Sequence, residues 1–413
     1  MKLLFSHPAG NQNVRAMLDA LDKADMLARF ATTLAASPDS AVARLLPGGL
    51  RRELQRRQFN LPPEKILQHP WREVARAICG KAGWTHWLRH EEGFASIDGV
   101  IRDFDRFVAR SLPGLHGKQR LDAVYTYEDS ALDTFKAAKA LGLKRVYDLP
   151  ISYWETGRRL MEEERQRVPE WAETLGGGIA DSPAKLERKT QELELADLVV
   201  VPSRFVADSL PAWASQKARV LSPFGSPASA SAAARPPEDP ARKLRVLFVG
   251  SMGQRKGLAD LFAAMRLLQS QNIELIVMGA PQTDLAFYRR QYADFTHEGG
   301  RPHAEVLALM RSCDVFCLPS LYEGRALVMQ EAMSQGLPVV ITPNTGGDDL
   351  VIEGHTGFLV PIRSPEKIAE KLAWFEQNRQ ALPAMREAAV RHAATYTWKN
   401  YSDVVVEAIR RLA

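Results

Sequence analysis

Beyond residue 241 the chain alternates two kinds of segment. Apolar runs at Leu244 to Val249, Ile273 to Met278, Asp314 to Leu318 and Pro338 to Thr342 are separated by helical patterns beginning near Leu258, Glu305 and Arg325. Strands that are apolar on both faces can be buried only in a parallel sheet with helices on either side. The same grammar recurs more loosely earlier, with strands expected at Leu3 to Ser6, Ala123 to Thr126, Lys144 to Tyr147 and Leu198 to Val201. Helices are expected between them, for example Asp129 to Leu141 and Arg204 to Trp213. The stretch from Phe224 to Pro240 is small, Pro-rich and aperiodic, which is linker chemistry. At 413 residues the chain exceeds the usual single core. The expected fold is therefore α/β, with two Rossmann-like lobes: residues 1–223, a linker at 224–241, and residues 242–392. A final helix over 393–413 carries Trp398, Tyr401, Val405, Ile409 and Leu412 at helical spacing. Such sheets bind ligands outside the carboxyl ends of their strands, so two lobes would enclose a site in the cleft between them.

Glu323 and Glu331 stand eight apart in the segment joining two of these strands. Asp314 to Leu318 reads as strand and Arg325 to Gln335 as helix, which puts Glu323 in the loop and Glu331 inside the helix. The two carboxylates should lie roughly 10 Å apart along the axis, with the free amides of the helix start between them. Helix-start amides attract phosphate, and a carboxylate on either side suits two clusters of hydroxyls. A nucleoside diphosphate-sugar has that layout. A second motif, Val246 to Leu258, runs from a strand into a loop containing Gly250, Gly253 and Gly257 and ending in Arg255 and Lys256. Glycines let backbone approach a ligand closely, and two cations at a sheet's carboxyl edge suit a diphosphate. The turns at Pro343 to Asp349 and Gly354 to Val360 fit amide donors or structural turns equally well. At the first strand's end, His7, Gly10 and Asn11 would face the cleft from the other lobe, with His7 as general base or orienting donor to an acceptor.

Composition, with 46% apolar and 25% charged residues, is that of a globular protein. No apolar stretch reaches the ~18 residues of a membrane helix, and the N-terminal run is too short for a signal peptide. A cytoplasmic location is expected. Cys79, Cys313 and Cys317 read as packing thiols, and the nine histidines show no metal-binding spacing, so no metal is expected. Charge is uneven. Residues 41–120 hold 15 Lys and Arg against 8 Asp and Glu, a net +7 in a chain whose total is +5. This basic stretch reads as a helical insertion in the first lobe. Its tryptophans Trp71, Trp84 and Trp87 either sit on an anionic membrane surface or pack as core of a solvated insert, and the second is the expectation. Nucleic acid is not an expected partner, since no recognition motif accompanies the charge. Asp103 and Asp105 form an Asp-x-Asp pair, but apolar residues at helical spacing around them point to a helix rather than a metal site. Tyr153, Trp154 and Trp171 read as core, with lining of an acceptor groove the lesser alternative.

Together these residues resemble the large retaining glycosyltransferase family called family 4, which has the two-lobed GT-B fold. The match is strongest from Leu244 to Pro361, where the spaced glutamates, the Lys-Gly of the glycine loop, Gly336-Leu-Pro-Val-Val340 and Thr356-Gly-Phe-Leu-Val-Pro361 occur in the family's order. Ala196 to Phe205 is similar to the run before the lobe crossover. The resemblance implies that Glu331 holds the donor ribose, Glu323 contacts the transferred sugar and Lys256 neutralises the leaving diphosphate. The amides of Gly324, Arg325, Ala326 and Leu327 would cap that diphosphate. It further implies front-face attack with retention, needing no metal or cofactor, the sugar nucleotide being a substrate. In two places the chain departs from the family. Ser251 stands where many relatives carry arginine, with Arg255 offered instead. The family's first-lobe histidine after a middle strand has no counterpart in Arg145 to Ser152.

The expected function is transfer of a sugar from a nucleoside diphosphate-sugar to a glycan or lipid-linked acceptor in surface polysaccharide or glycolipid assembly. The rivals are a sugar-nucleotide epimerase of the same fold and a non-catalytic sugar-nucleotide-binding scaffold.

Overall fold

The computed structural model describes residues 1–36, 57–228 and 242–412. Residues 41–56 of the basic stretch and most of the expected linker lie outside these residues. The first sheet has seven parallel strands: β1 Leu3–Ser6, β2 Leu27–Thr32, β3 Ile66–Gln68, β4 Ala123–Tyr127, β5 Lys144–Asp148, β6 Leu198–Val201 and β7 Ala218–Leu221. Their spatial order is β3-β2-β1-β4-β5-β6-β7. The second sheet has six: β8 Leu244–Val249, β9 Ile273–Met278, β10 Phe295–Glu298, β11 Val315–Leu318, β12 Val339–Ile341 and β13 Gly357–Leu359, ordered β10-β9-β8-β11-β12-β13. Each order reverses direction once, at β1/β4 and at β8/β11, and those reversals open a crevice at the carboxyl edge.

The helices used below are α1 Gln12–Lys23, α2 Trp71–Ala82, α3 Ile97–Gln119, α4 Leu132–Ala140, α5 Trp154–Arg167, α6 Pro183–Leu195, α7 Leu258–Leu268, α8 His303–Arg311, α9 Leu327–Ser334 and α10 Trp398–Arg410. The last of these packs against α1, and its Tyr401, Val405 and Ile409 complete the apolar layer under β1 and β4. Ser222 fixes the return by donating to the Tyr401 carbonyl at 2.8 Å.

Several expected elements end elsewhere, each for a local reason. The helix expected from Asp129 begins at Leu132, because Asp129 adopts the left-handed conformation at φ 73°. The helix expected from Arg204 to Trp213 stops at Asp208, and Pro211 caps a separate 3-10 turn. The helix expected from Arg325 begins at Leu327, held back by two bonds to a neighbouring loop: the Glu323 amide donates to Asn344 O at 2.8 Å and that of Ala326 to Thr345 O at 3.3 Å.

The lobes are not cleanly divided by sequence. Trp171 lies in the first half of the chain but is packed in the second lobe's core, edge-on to Phe262, Phe287 and Tyr288. Its neighbourhood is bolted down by charge. Arg167 reaches Asp260 at 2.7 Å, and Arg363 and Gln254 meet the fully buried Glu164 at 2.8 and 2.5 Å. Residues 154–176 are thus a strap from the first lobe across the second.

Candidate functional site

The loops after β8 and β11 meet at the second sheet's reversal point. They approach so closely that a Cβ on Gly257 would lie 2.0 Å from Pro319 O, and Gly257 sits at φ 76°, which only glycine adopts freely. That approach delivers two cations to one carboxylate: Arg255 Nη1 lies 2.8 Å and Lys256 Nζ 2.5 Å from Glu323 Oε1. Arg255 also donates to Tyr322 O at 3.2 Å. Burial lowers the Lys256 pKa, with Glu323 opposing the shift.

The loop bearing Glu323 is propped by the turn after β12. Asn344 donates to Leu321 O at 2.8 Å and Thr342 to Ser320 O at 2.6 Å. Of the two readings of Pro343 to Asp349, the structural one accounts for these contacts. Arg325 is turned away from the crevice. Its buried guanidinium bonds Asp349 at 2.7 Å, Gly346 O at 2.9 Å and Gln330 at 2.9 Å. What Arg325 presents toward the loop is its amide. The Ala326 amide already has its partner in Thr345 O, whereas those of Gly324, Arg325 and Leu327 have none among the described residues.

On one flank of this cluster the strap roofs a cavity of about 360 Å³. Its walls come from both lobes: Ser152, Trp154, Gly157, Arg158, Met161, Thr174 and Asp181 on one side, and Ser251, Gly253, Arg255, Gln282 and Tyr322 on the other. Ser251 therefore faces the interlobe space. Trp154 was expected in the core with Tyr153 and Trp171, but it lines this cavity while the other two are buried. At the cavity's edge Gly324 touches the first lobe, where an added Cβ would fall 1.6 Å from Pro150 O, and its carbonyl accepts from Ser203 at 2.6 Å.

Glu331, on α9, pairs with His303 Nε2 at 3.0 Å. In the first lobe His7 follows β1 at that sheet's reversal point. Its Nδ1 sits against the Ala9 backbone, and burial lowers its pKa to about 4, so the ring is neutral at pH 7. Asn11 caps α1 by accepting from the Val14 amide at 3.1 Å. Gly10 lies under the Phe59 ring, which leaves no room for a side chain. None of these three lines the strap cavity. Asp148, at the end of β5 where the family's histidine was sought, is buried, accepts from Tyr125 at 2.6 Å and has its pKa pushed up to about 7 by desolvation. Sequence reasoning missed Asp181 and His303, which reach the site only through tertiary packing, and Tyr322, which stands beside Glu323 in the motif and lines the cavity.

The Asp-x-Asp pair is accounted for without a ligand. Asp103 pairs with His69 at 2.7 Å, and Asp105 caps α4 by accepting from the amides of Asp133 and Thr134. Among the described residues His90, Glu91 and Asp181 have metal-compatible spacing, but Lys185 Nζ already sits 2.9 Å from Asp181.

Residues 232–392, the region holding both glycine loop and glutamates, match the family of glycosyl transferases group 1. The match is confined to the second lobe and the segment leading into it. The D-inositol 3-phosphate glycosyltransferase of Corynebacterium glutamicum is 32% identical over 166 residues, 37% of this chain and 40% of that protein. The chain thus spans about two fifths of the length of the curated relatives it matches. Sucrose-phosphate synthase from Thermosynechococcus elongatus superposes with a TM-score of 0.67 at 18% identity, covering 100% of this chain and 99% of that one. Anabaena Alr3699/HepE, solved in complex with UDP, gives 0.63 at 16% identity with full coverage of both chains. Both lobes of this chain therefore adopt the GT-B arrangement.

Proposed function

We propose that this chain transfers a sugar from a nucleoside diphosphate-sugar to a glycan or lipid-linked acceptor, with retention of configuration and without a metal. The observation that carries the reading is the convergence of Arg255 and Lys256 on Glu323 at the reversal point, beside free amides at the start of α9. A diphosphate arriving there exchanges one anion for another: the two cations turn to phosphate, and Glu323 is released to accept from the hydroxyls of the sugar. Lys256 and the amides then stabilise charge on the departing phosphate, which takes the acceptor proton itself. Glu331 is the ribose acceptor. His7, neutral and held through Nδ1, has Nε2 left to orient an acceptor hydroxyl, with Gly10 and Asn11 shaping the loop around it. That HepE, which shares the fold, was solved in complex with UDP supports a nucleotide as a ligand.

The test is a thermal-shift screen of nucleoside diphosphates and their sugars, followed by NMR of the product's anomeric configuration. A ligand at 100 times its Kd should stabilise by ~2.7 kcal/mol. Absence of stabilisation by every nucleotide tried, or an inverted product, would end the proposal. A sugar-nucleotide epimerase would instead yield the epimeric sugar nucleotide with no acceptor present.

A further inference from the structure

The tryptophans of the insertion are not core. Trp71 is 74% exposed, Trp84 55% and Trp87 48%. Of thirteen large apolar side chains exposed among the described residues, seven lie between residues 71 and 97. Trp71, Val74 and Ile78 fall at i, i+3 and i+7 on one face of α2, and Phe94 and Ile97 lead into α3. Such a concentration marks an interaction surface rather than scattered exposure.

We infer that this face docks on an anionic phospholipid bilayer. Charge and side-chain type choose the occupant. Residues 41–120 as a whole carry +7 where the rest of the chain is at −2; within the face itself, residues 71–97, four Lys and Arg stand against three Glu, a net +1, and exposed Lys81 and Arg89 are interleaved with the apolar groups. Tryptophan beside cations is the composition that settles at a headgroup boundary, ring inward and charge outward. The surface is also firmly built. The Ala95 amide donates to Trp87 O at 2.9 Å, and a Cβ on Gly93 would lie 2.3 Å from that same carbonyl, so the segment between Trp87 and Phe94 is tightly folded.

The patch is continuous with the interlobe cavity. Glu91 accepts from the Ser182 amide at 2.7 Å, and His90 Nε2 lies 3.0 Å from Asp181, a wall residue of that cavity. Docking therefore brings the cavity to the bilayer, where a lipid-linked acceptor would be found; that last clause rests on the proposed function, whereas the docking does not.

The experiment is co-sedimentation with vesicles of phosphatidylcholine, with and without phosphatidylglycerol, at rising salt. The intact chain should bind the anionic vesicles, release as salt rises, and show tryptophan quenching by brominated lipid. The triple variant Trp71→Ser/Trp84→Ser/Trp87→Ser should bind roughly tenfold or more weakly. Should that variant fail to fold by circular dichroism, Trp71→Ser alone and the wild-type quenching decide the matter. No binding to anionic vesicles at low salt, binding unaltered by the substitutions, or self-association on gel filtration that Trp71→Ser abolishes would each overturn the inference. If the transferase reading alone is wrong, no nucleotide will stabilise the chain while vesicle binding persists.

Discussion

The two lobes share a topology but write their sites differently. In the second lobe the site comes from two loops at adjacent strand ends, β8 to α7 and β11 to α9, each carrying its residues in one short run. In the first lobe the corresponding ground is assembled from distant pieces: the loop after β1, the end of β5, the strap at 154–176 and the insertion after β3. Under the proposed function, a donor common to many enzymes would be met by the compact motif, and an acceptor that varies by the added segments, which have no common spacing to find.

The largest expected effect lies in the compact half. Glu323→Gln should lower turnover by ~10²–10³-fold, as loss of a group acting on the developing charge does. Because it removes the anion competing for Arg255 and Lys256, it should leave stabilisation by a nucleoside diphosphate equal or greater. Single-turnover assays and thermal shifts read the two separately. A scaffold would show unchanged turnover of zero and no such split.

Packing supplies the next effect. Trp171→Ala empties a site among three aromatic rings and should cost ~3–5 kcal/mol. The residue belongs to the first half of the sequence, so the two lobes should fail together in thermal melting. Loss confined to one of two separate transitions would show that the strap does not couple them.

What could be read beforehand follows the same division. Strands β1, β6, β8 and β9 were legible to the residue, since their apolar runs are buried on both faces. The edge strand β7 was not, because its residues are largely exposed and carry no apolar run. Glu323 and Lys256 were legible as a motif, but their direct ion pair was not, because it depends on Gly257 passing against Pro319. Arg325 was placed by sequence at the helix start, yet Asp349, 24 residues on, determines where its guanidinium points. Trp154 and Trp171 are similar in sequence context and opposite in role. Only the path of the strap separates a cavity wall from a core anchor.

Gly324→Ala probes the junction between the halves. The added carbon meets Pro150 O, so the interlobe contact must open, at ~1–3 kcal/mol. Activity should fall ~5–100-fold while nucleotide stabilisation survives. Equal loss of both would mean that Gly324 serves the donor half alone.

Asp148→Asn sharpens the comparison through pH. The folded pKa of about 7 stands above the ordinary 3.8, so below pH 3.8 folded and unfolded chains both hold the proton. Between pH 3.8 and 7 only the unfolded chain loses it, and stability falls as pH rises, the loss being complete above pH 7. The asparagine variant escapes this, so its stability relative to wild type should improve by roughly 2–4 kcal/mol from pH 4 to pH 8. His7 titrates in the opposite sense, its contribution falling below pH 6.5, but it is common to both chains and cancels in the difference. A difference independent of pH would mean that Asp148 is ionised throughout.

His303→Ala should have the smallest effect and the most local one. The imidazole is exposed and lies 3.0 Å from Glu331, a pair worth ~0.2–1 kcal/mol when solvated. Removing it frees the carboxylate to accept from a ribose without a competitor, so the donor KM should fall by up to about fivefold with kcat unchanged. A rise in KM would show instead that His303 itself touches the nucleotide, which would add a second residue beyond sequence reach to the half that was otherwise legible.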